Sequence, residues 1–346
     1  MKLGLVLGYS GGGMAEAMDL VLEAERLGFD SVWTSEAYGS DAITPAAWIL
    51  ARTSRIKVGT AIVQMPARTP AMAAMTAMTL QELSGGRFVL GIGPSGPQVI
   101  EGWHGLAYGR PLERTREYID IVRKVLAREQ PLTHQGRHYR IPYTGEGASG
   151  LGKPLKSIMH DRFGLKIYTG TIAPAGMRTS AEVADGMFPF CMDPEKFELM
   201  RPHLEAGFQA AGGAKSLDDF DILPFVRVHV GDDLEACRLP VKQQLGLYIG
   251  GMGARRKNFY NDYAKRLGYE VAAVKIQDAF LAGRRGEAVG LVPDALVDAV
   301  SLVGPKARVA ERVEVWKQAA ARREVDTLLL AGADAEGLRV MAEAVL

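Results

Sequence analysis

The stretch FVLGIGPSGPQVIEGWH, residues 88–104, changes from a buried strand to a glycine-rich loop within a few positions. Phe88, Val89, Leu90 and Ile92 form an apolar run of the kind found in a parallel strand covered on both faces, rather than the alternation of a half-exposed one. Gly91, Gly93 and Gly96 keep side chains away, as glycine does where the chain needs positive φ or where backbone approaches a ligand closely. Two readings stand at this point: a floor on which something flat rests, or a strand ending in an ordinary turn, because short glycine patterns recur by chance.

Outward from this stretch the chain repeats one unit, a short β-rich run, a turn and an amphipathic helical segment. Toward the N-terminus, strands are expected at Leu3 to Leu7, Ser31 to Thr34 and Ile56 to Val63. Helices are expected at Ala15 to Leu27, closed by Gly28, at Pro45 to Arg52 and at Pro70 to Leu83. In the last of these, Met72, Met75 and Met78 fall at i, i+3 and i+6 and are expected in the core. Toward the C-terminus a helix runs from Pro111 to Arg128, where Arg114 and Glu117 are spaced for an i, i+3 pair. Residues 130–165, rich in Gly, Pro, His and Tyr, read as an insertion with a small hairpin. Strands resume at Lys166 to Thr169, Met187 to Cys191, Ile222 to Val230 and Thr327 to Leu330, with helices between them. A second excursion, residues 247–292, is too long for an ordinary connection and is a candidate lid.

Eight strands alternating with helices over roughly 250 residues, plus insertions after the fourth and seventh strands, is the count of an α/β fold of the (β/α)8 TIM-barrel type. One domain then spans residues 1–346. An open doubly wound sheet is disfavoured: the loop after the first strand reads YSGGGMAE rather than GxGxxG, and no acidic residue follows a second strand at the right distance. In a barrel the site lies at the strand C-termini, which gathers Tyr9, Glu36, Gln64, Ser95, Thr171 and Phe190 around one mouth.

Composition excludes several classes of function. The 346 residues are 47% hydrophobic, enough for a large core. Lys and Arg number 41 against 40 Asp and Glu, a net charge of +1, so no global field favours nucleic acid or a membrane surface. MKLGLVLGYS enters a strand pattern at once, without the features of a secretory leader, and a cytoplasmic protein is expected. Cys191 and Cys237 stand far apart, outside any CxxC spacing, and read as small core residues. His134, His138 and Asp161 lack metal-ligand spacing, and no metal is expected.

The blocks AERLGFDSVWTSE, VGTAIVQMPARTP, LSGGRFVLGIGPSGPQVIEGWHG, PLERTREYID and AEVADGMFP, in this order, resemble the bacterial luciferase-like superfamily of flavin and deazaflavin oxidoreductases. Together with GMGARRKNFYNDYAKRLGYE they look like the branch that uses the deazaflavin coenzyme F420. The resemblance implies an eight-stranded barrel with insertions and a non-proline cis peptide at Ala61 and Ile62. It further implies a cofactor lined by Gly93, Ser95, Gly96 and Gln98, with the ribityl chain and phosphate near Gly170, Thr171 and Ala173. A helix start at Pro174 suits an anion, because its N–H groups are unpaired and its dipole is favourable. Sugar-phosphate dehydrogenases of the family carry Asp-His after the second strand and Glu in the fourth-strand loop. Here Glu36, Ala37 and Gly96 stand at those places, so that reaction is not implied.

For proton transfer the sequence offers Glu36, at the end of a barrel strand, and His104, past the glycine loop. Each has a structural alternative: Glu36 as the partner of an arginine such as Arg68, His104 as a packed ring beside Trp103. Tyr9, Tyr38 and Tyr108 are candidates for the substrate cavity. The functional expectation is an oxidoreductase that transfers a hydride between F420 and a small organic substrate, assembled as a homodimer or larger homo-oligomer. An FMN-dependent monooxygenase using reduced flavin and oxygen is the alternative, and a non-catalytic flavin-binding protein is a third reading.

Overall fold

A computed structural model describes residues 1–8 and 14–346. Eight parallel strands define the fold: β1 (Lys2–Val6), β2 (Ser31–Thr34), β3 (Lys57–Thr60), β4 (Phe88–Gly93), β5 (Ile167–Thr171), β6 (Gly186–Pro189), β7 (Phe225–Val230) and β8 (Thr327–Ala331). Each pairs with the next from β1 to β6, and β8 pairs with both β7 and β1, so that Leu5 lies opposite Val32 on one side and Leu330 on the other. The seam between β6 and β7 is closed by the two-residue strand Asp221–Ile222 beside Gly186 and Met187 and by a bridge from Phe190 to Phe225. This is the (β/α)8 barrel that the repeat count implies. All six positions of β4 are buried, which accounts for its unbroken apolar sequence.

Aromatic side chains fill the barrel interior. Trp33, Tyr168 and Phe188 pack with ring centroids 5.1 to 5.9 Å apart, together with Val89, Leu223 and Leu329. Gly59 makes room for them, since a Cβ there would overlap the Trp33 ring. A second apolar layer lies between the strands and the surrounding helices, with Leu3, Val58, Leu90, Trp316 and Leu338 among its members.

Four local expectations change. The third strand is not continuous from Ile56 to Val63: Lys57–Thr60 and Val63–Gln64 are separate pieces, both paired with β4, joined through a cis Ala61–Ile62 peptide. Of the three methionines on helix Pro70–Ser84 only Met78 is buried. Met72 and Met75 are about half exposed, and Ala73, Ala74 and Ala77 make the core face, because small side chains let this helix lie close on the sheet. Arg114 and Glu117 do not pair. Glu117 instead accepts the N–H groups of Arg137 (2.9 Å), His138 (3.0 Å) and Tyr139 (3.0 Å), fastening the hairpin His134–Gln135/Arg140–Ile141 to helix Pro111–Ala127, while Arg114 donates to the Ala107 carbonyl. Strand Ser301–Gly304, unanticipated, pairs with β7.

The second excursion also begins earlier than residue 247. Helix Leu234–Gly251, capped by Asp233, leads into helices Phe259–Arg266, Glu270–Leu281, Arg285–Gly290 and Asp294–Val300. Pro240 reads as a helix breaker in sequence, yet the helix continues through it, at the cost of one backbone bond. The unit has its own apolar core, including Leu245, Ile249, Tyr263, Ile276 and Val297. Buried Asn258 and Asn261 tie its helices together by donating to the Tyr248, Ile249 and Ala273 carbonyls. Among the described residues no helix is long and apolar enough to cross a membrane, and no cluster of three or more His, Cys, Asp or Glu could hold a metal ion.

Candidate functional site

The barrel mouth is shaped by the end of β3. The Ala61 N–H donates to Thr34 O (2.7 Å) and the Ala61 carbonyl accepts the Ser35 hydroxyl (3.0 Å), so the residue that opens the cis peptide is held at both its backbone polar groups by the end of β2. The Thr60 carbonyl presses against Gly91, where any Cβ would overlap it, and the Thr60 hydroxyl exchanges hydrogen bonds with the Gly91 backbone at 2.8 and 3.0 Å. The Ile62 side chain then lies over Gly93 and Gly170: a methyl group at either would stand 3.0 or 3.2 Å from it. Ala61, Ile62, Gly93 and Gly170 are thus brought together as a smooth floor. Gly91 and Gly93 serve close approach, and neither they nor Gly96 takes positive φ; Ser95 takes the left-handed conformation in this loop, at φ +57°.

The rim continues from Ser95, whose carbonyl accepts the Tyr108 hydroxyl at 3.1 Å. Burial raises the Tyr108 phenol above its ordinary pKa and keeps it protonated as that donor. Gly96 precedes the short helix Pro97–Gly102, on which Gln98 is exposed. On the other side of the floor Thr171 ends β5, and Ala173 caps helix Pro174–Val183 without a side-chain cap hydrogen bond among the described residues. Phe190, just past β6, stacks on Tyr248 at 4.5 Å and meets Tyr260 edge-on at 4.9 Å, which roofs this part of the rim with the helical excursion. Tyr38 is 64% exposed, and Tyr9 lies outside the described residues.

The two proton-transfer candidates belong to one network. Glu36 is buried; its Oε1 accepts the Gln64 N–H (2.7 Å) and Arg68 Nη1 (2.6 Å), and its Oε2 accepts the Ala42 N–H (3.0 Å). The arginine partner weighed as the structural alternative is therefore present. Gln64 in turn donates through Nε2 to the Ala37 carbonyl (3.0 Å), which leaves Oε1 as an acceptor facing His104 Nε2 at 2.6 Å. His104 Nε2 must then be the protonated nitrogen in this contact, and Nδ1 is the one that remains for a ligand.

With this geometry in place, comparisons with known proteins locate the chain. The sequence pattern of the luciferase-like monooxygenase family matches residues 2–323. The chain belongs to that family. Among its luciferase-like relatives, the Mycobacterium tuberculosis protein named "Putative coenzyme F420-dependent oxidoreductase" is 44% identical over 344 residues, 99% of this chain and 98% of that one. A 5,10-methylenetetrahydromethanopterin reductase of Archaeoglobus fulgidus is 28% identical over 302 residues, covering 86% of this chain and 84% of its own. The luciferase-like fold also matches the solved coenzyme F420-dependent tetrahydromethanopterin reductase of Methanopyrus kandleri, with a TM-score of 0.80 at 22% identity over 99% of this chain and 98% of that one.

Two residues that the sequence reading left without a role stand out in this luciferase-like mouth. Gln64 connects Glu36 to His104. Arg227, in the middle of β7, is only partly buried although Val226 and Val228 beside it are fully enclosed. The signal was present in FVRVHV, where Phe225, Arg227 and His229 share one face of a barrel strand and two of the three are polar.

Proposed function

We propose that the chain is a coenzyme F420-dependent oxidoreductase acting on a small organic substrate. The observation that carries this reading is the floor of Ala61, Ile62, Gly93 and Gly170, a flat glycine-edged surface beside a helix start at Ala173 whose N–H groups are open to an anion. A tricyclic deazaflavin fits the floor, and its phosphate fits the helix start near Thr171 and Ala173. The full-length relative at 44% identity, named for this cofactor, supports the same choice.

When bound, the deazaflavin supplies or accepts the hydride; the protein positions the reactants and handles the proton. Ile62, Ser95, Gly96 and Gln98 would hold the ring system. His104, oriented through Nε2 by Gln64, presents Nδ1 as the proton carrier, which we prefer to Glu36. Glu36 accepts three N–H bonds and pairs with Arg68, so it is suited to holding Gln64 and hence His104 in place. We further expect a cytoplasmic homodimer or larger homo-oligomer.

The test is a titration of apoprotein with F420 and, separately, with FMN, followed by fluorescence. Tighter binding of F420 is expected. Tight FMN binding without F420 binding would reverse the assignment toward a flavin-dependent monooxygenase. Binding of F420 with no turnover of enones, aldehydes, imines or secondary alcohols would instead make this a flavin-binding protein.

A further inference from the structure

Arg227 is, with Arg114 and Arg128, one of the partly buried arginines that no carboxylate holds, whereas most of the others are paired. Arg238 is held by Glu235, Asp294 and Asp298, Arg116 by Glu182, Arg201 by Glu324, and Arg87 by four backbone or hydroxyl oxygens around Leu50, Thr53 and Ile56. Arg227 has one neutral partner: its Nε donates to Gln244 Oε1. Neither terminal nitrogen has a protein acceptor among the described residues, and the groups that feel its charge are Tyr248 and Cys191 rather than a carboxylate. A guanidinium drawn partly out of water without a counter-ion costs free energy, and such groups concentrate where a ligand supplies the missing charge.

Its surroundings are those of a receptor. Arg227 borders a small recess of about 20 Å3, with room for a water-sized polar group and partly open to solvent, between β6 to β8 and helix Leu234–Gly251, with Phe190 and Phe225 as its apolar walls. Gln244 fixes the guanidinium through Nε, which orients both terminal NH2 groups as a fork. Gly332 keeps the space beside that fork clear, since a Cβ there would lie 3.0 Å from Arg227 Nη1 and 3.4 to 3.5 Å from the His229 ring. The buried Nε2 of His229 has no hydrogen-bond partner in this corner. Phe225, one inward position below Arg227, packs against the same interior cluster as Ile62 of the floor assigned to the cofactor.

We propose that Arg227, seconded by His229 and given room by Gly332, anchors a carboxylate on the substrate, whose apolar body lies along Phe190 and Phe225 toward Ile62. The substrate class is then a carboxylic acid with its reducible or oxidisable carbon some way from the acid group. This assignment rests on the reading of the Ile62 floor as the place of hydride transfer. The fork geometry of guanidinium and carboxylate is what selects an acid over its neutral twin.

The experiment compares trans-cinnamate and benzoate with their primary amides as binding probes, by titration calorimetry, on the apoprotein and again with F420 present. In the wild type each acid should bind on the order of tenfold more tightly than its amide, the advantage expected of a charge-assisted bidentate pair. Arg227→Gln should reduce that preference to within about twofold, and Arg227→Lys should retain part of it, since the charge survives but the fork does not. F420 affinity and thermal stability should not change in either variant, which separates a lost subsite from a misfolded one. No acid preference in the wild type, or no binding of either acid at millimolar concentration, overturns the proposal. So does an Arg227→Gln variant that weakens F420 as much as the acids, which would assign Arg227 to the cofactor. If F420 binds nowhere, the functional reading falls, while the acid-against-amide comparison on the apoprotein still decides Arg227.

Discussion

Glu36 has its lone pairs directed at the N–H groups of Gln64 and Ala42 and at the Arg68 guanidinium, so that every partner of the carboxyl group is a donor. Replacing it by Gln turns one end of the side chain into a donor facing donors and leaves Arg68, 23% exposed, without its counter-ion. We expect Glu36→Gln to lose about 1 to 3 kcal/mol of stability in chemical denaturation, the usual penalty for a part-buried charged partner left unmatched. Its turnover should fall only as far as His104 is displaced, and the pH–rate profile should keep its shape. His104→Gln should do the reverse: nearly unchanged stability, a turnover lower by about 10² to 10⁴, the range of positioned acids, and loss of one limb of the profile. Should Glu36→Gln lose that limb while His104→Gln keeps it, the roles assigned to the two residues must be exchanged. Both side chains were visible in the sequence as candidates, but their division of labour was not. It depends on Gln64, whose contacts with residues 28 and 40 positions away leave no trace in local spacing.

The glycines of β4 make a comparison at the level of the strand. At Gly91 a methyl group meets the Thr60 backbone carbonyl, which cannot move without breaking the β3–β4 pairing. Gly91→Ala should therefore cost about 1 to 3 kcal/mol or more, as overpacking does, and lower the melting temperature. At Gly93 the methyl group meets the tip of Ile62, which can rotate away. Gly93→Ala should leave stability within about 1 kcal/mol of wild type while roughening the floor, reducing F420 affinity by roughly tenfold. Equal stability losses in the two variants would count against the distinction between a structural and a binding glycine. Close backbone approach was legible here because glycine spacing within an apolar run has few other uses. Element content was less legible where a local rule was overridden, as in helix Pro70–Ser84, where alanines rather than Met72 and Met75 face the sheet. Strand Ser301–Gly304 is only four residues long and gains its identity from pairing with β7, a contact of the folded barrel and not of its own sequence.

Across the whole molecule the charge is almost balanced, at +1, so long-range attraction cannot gather an anionic ligand and any attraction must be local. The eightfold repeat was readable because its units carry local signals, a short apolar run for a buried strand and a 3.6-residue spacing for a helix. Where the excursions fold against the barrel was not readable, because Tyr248 and Tyr260 reach Phe190 only in three dimensions. These contacts bring the segment holding Arg255, Arg256 and Lys257 close to the rim, since it joins the helices that carry the two tyrosines. Arg255 is engaged with Asp278 at 2.6 Å, whereas no ion pair holds Arg256 or Lys257 among the described residues. The deazaflavin proposed as cofactor ends in an acidic oligoglutamate tail, which two exposed cations at the mouth would attract. Changing Arg256 and Lys257 together to Ser should weaken F420 binding several-fold at low salt. The difference should fade as ionic strength rises, because screening limits such attraction to about 10 Å at 0.1 M and about 3 Å at 1 M. An analogue of the cofactor lacking the tail should bind both proteins equally at every salt concentration. Fluorescence titrations of the two ligands across a salt series give the answer: an equal loss for both, independent of salt, would mean that the segment shapes the rim and does not hold the tail.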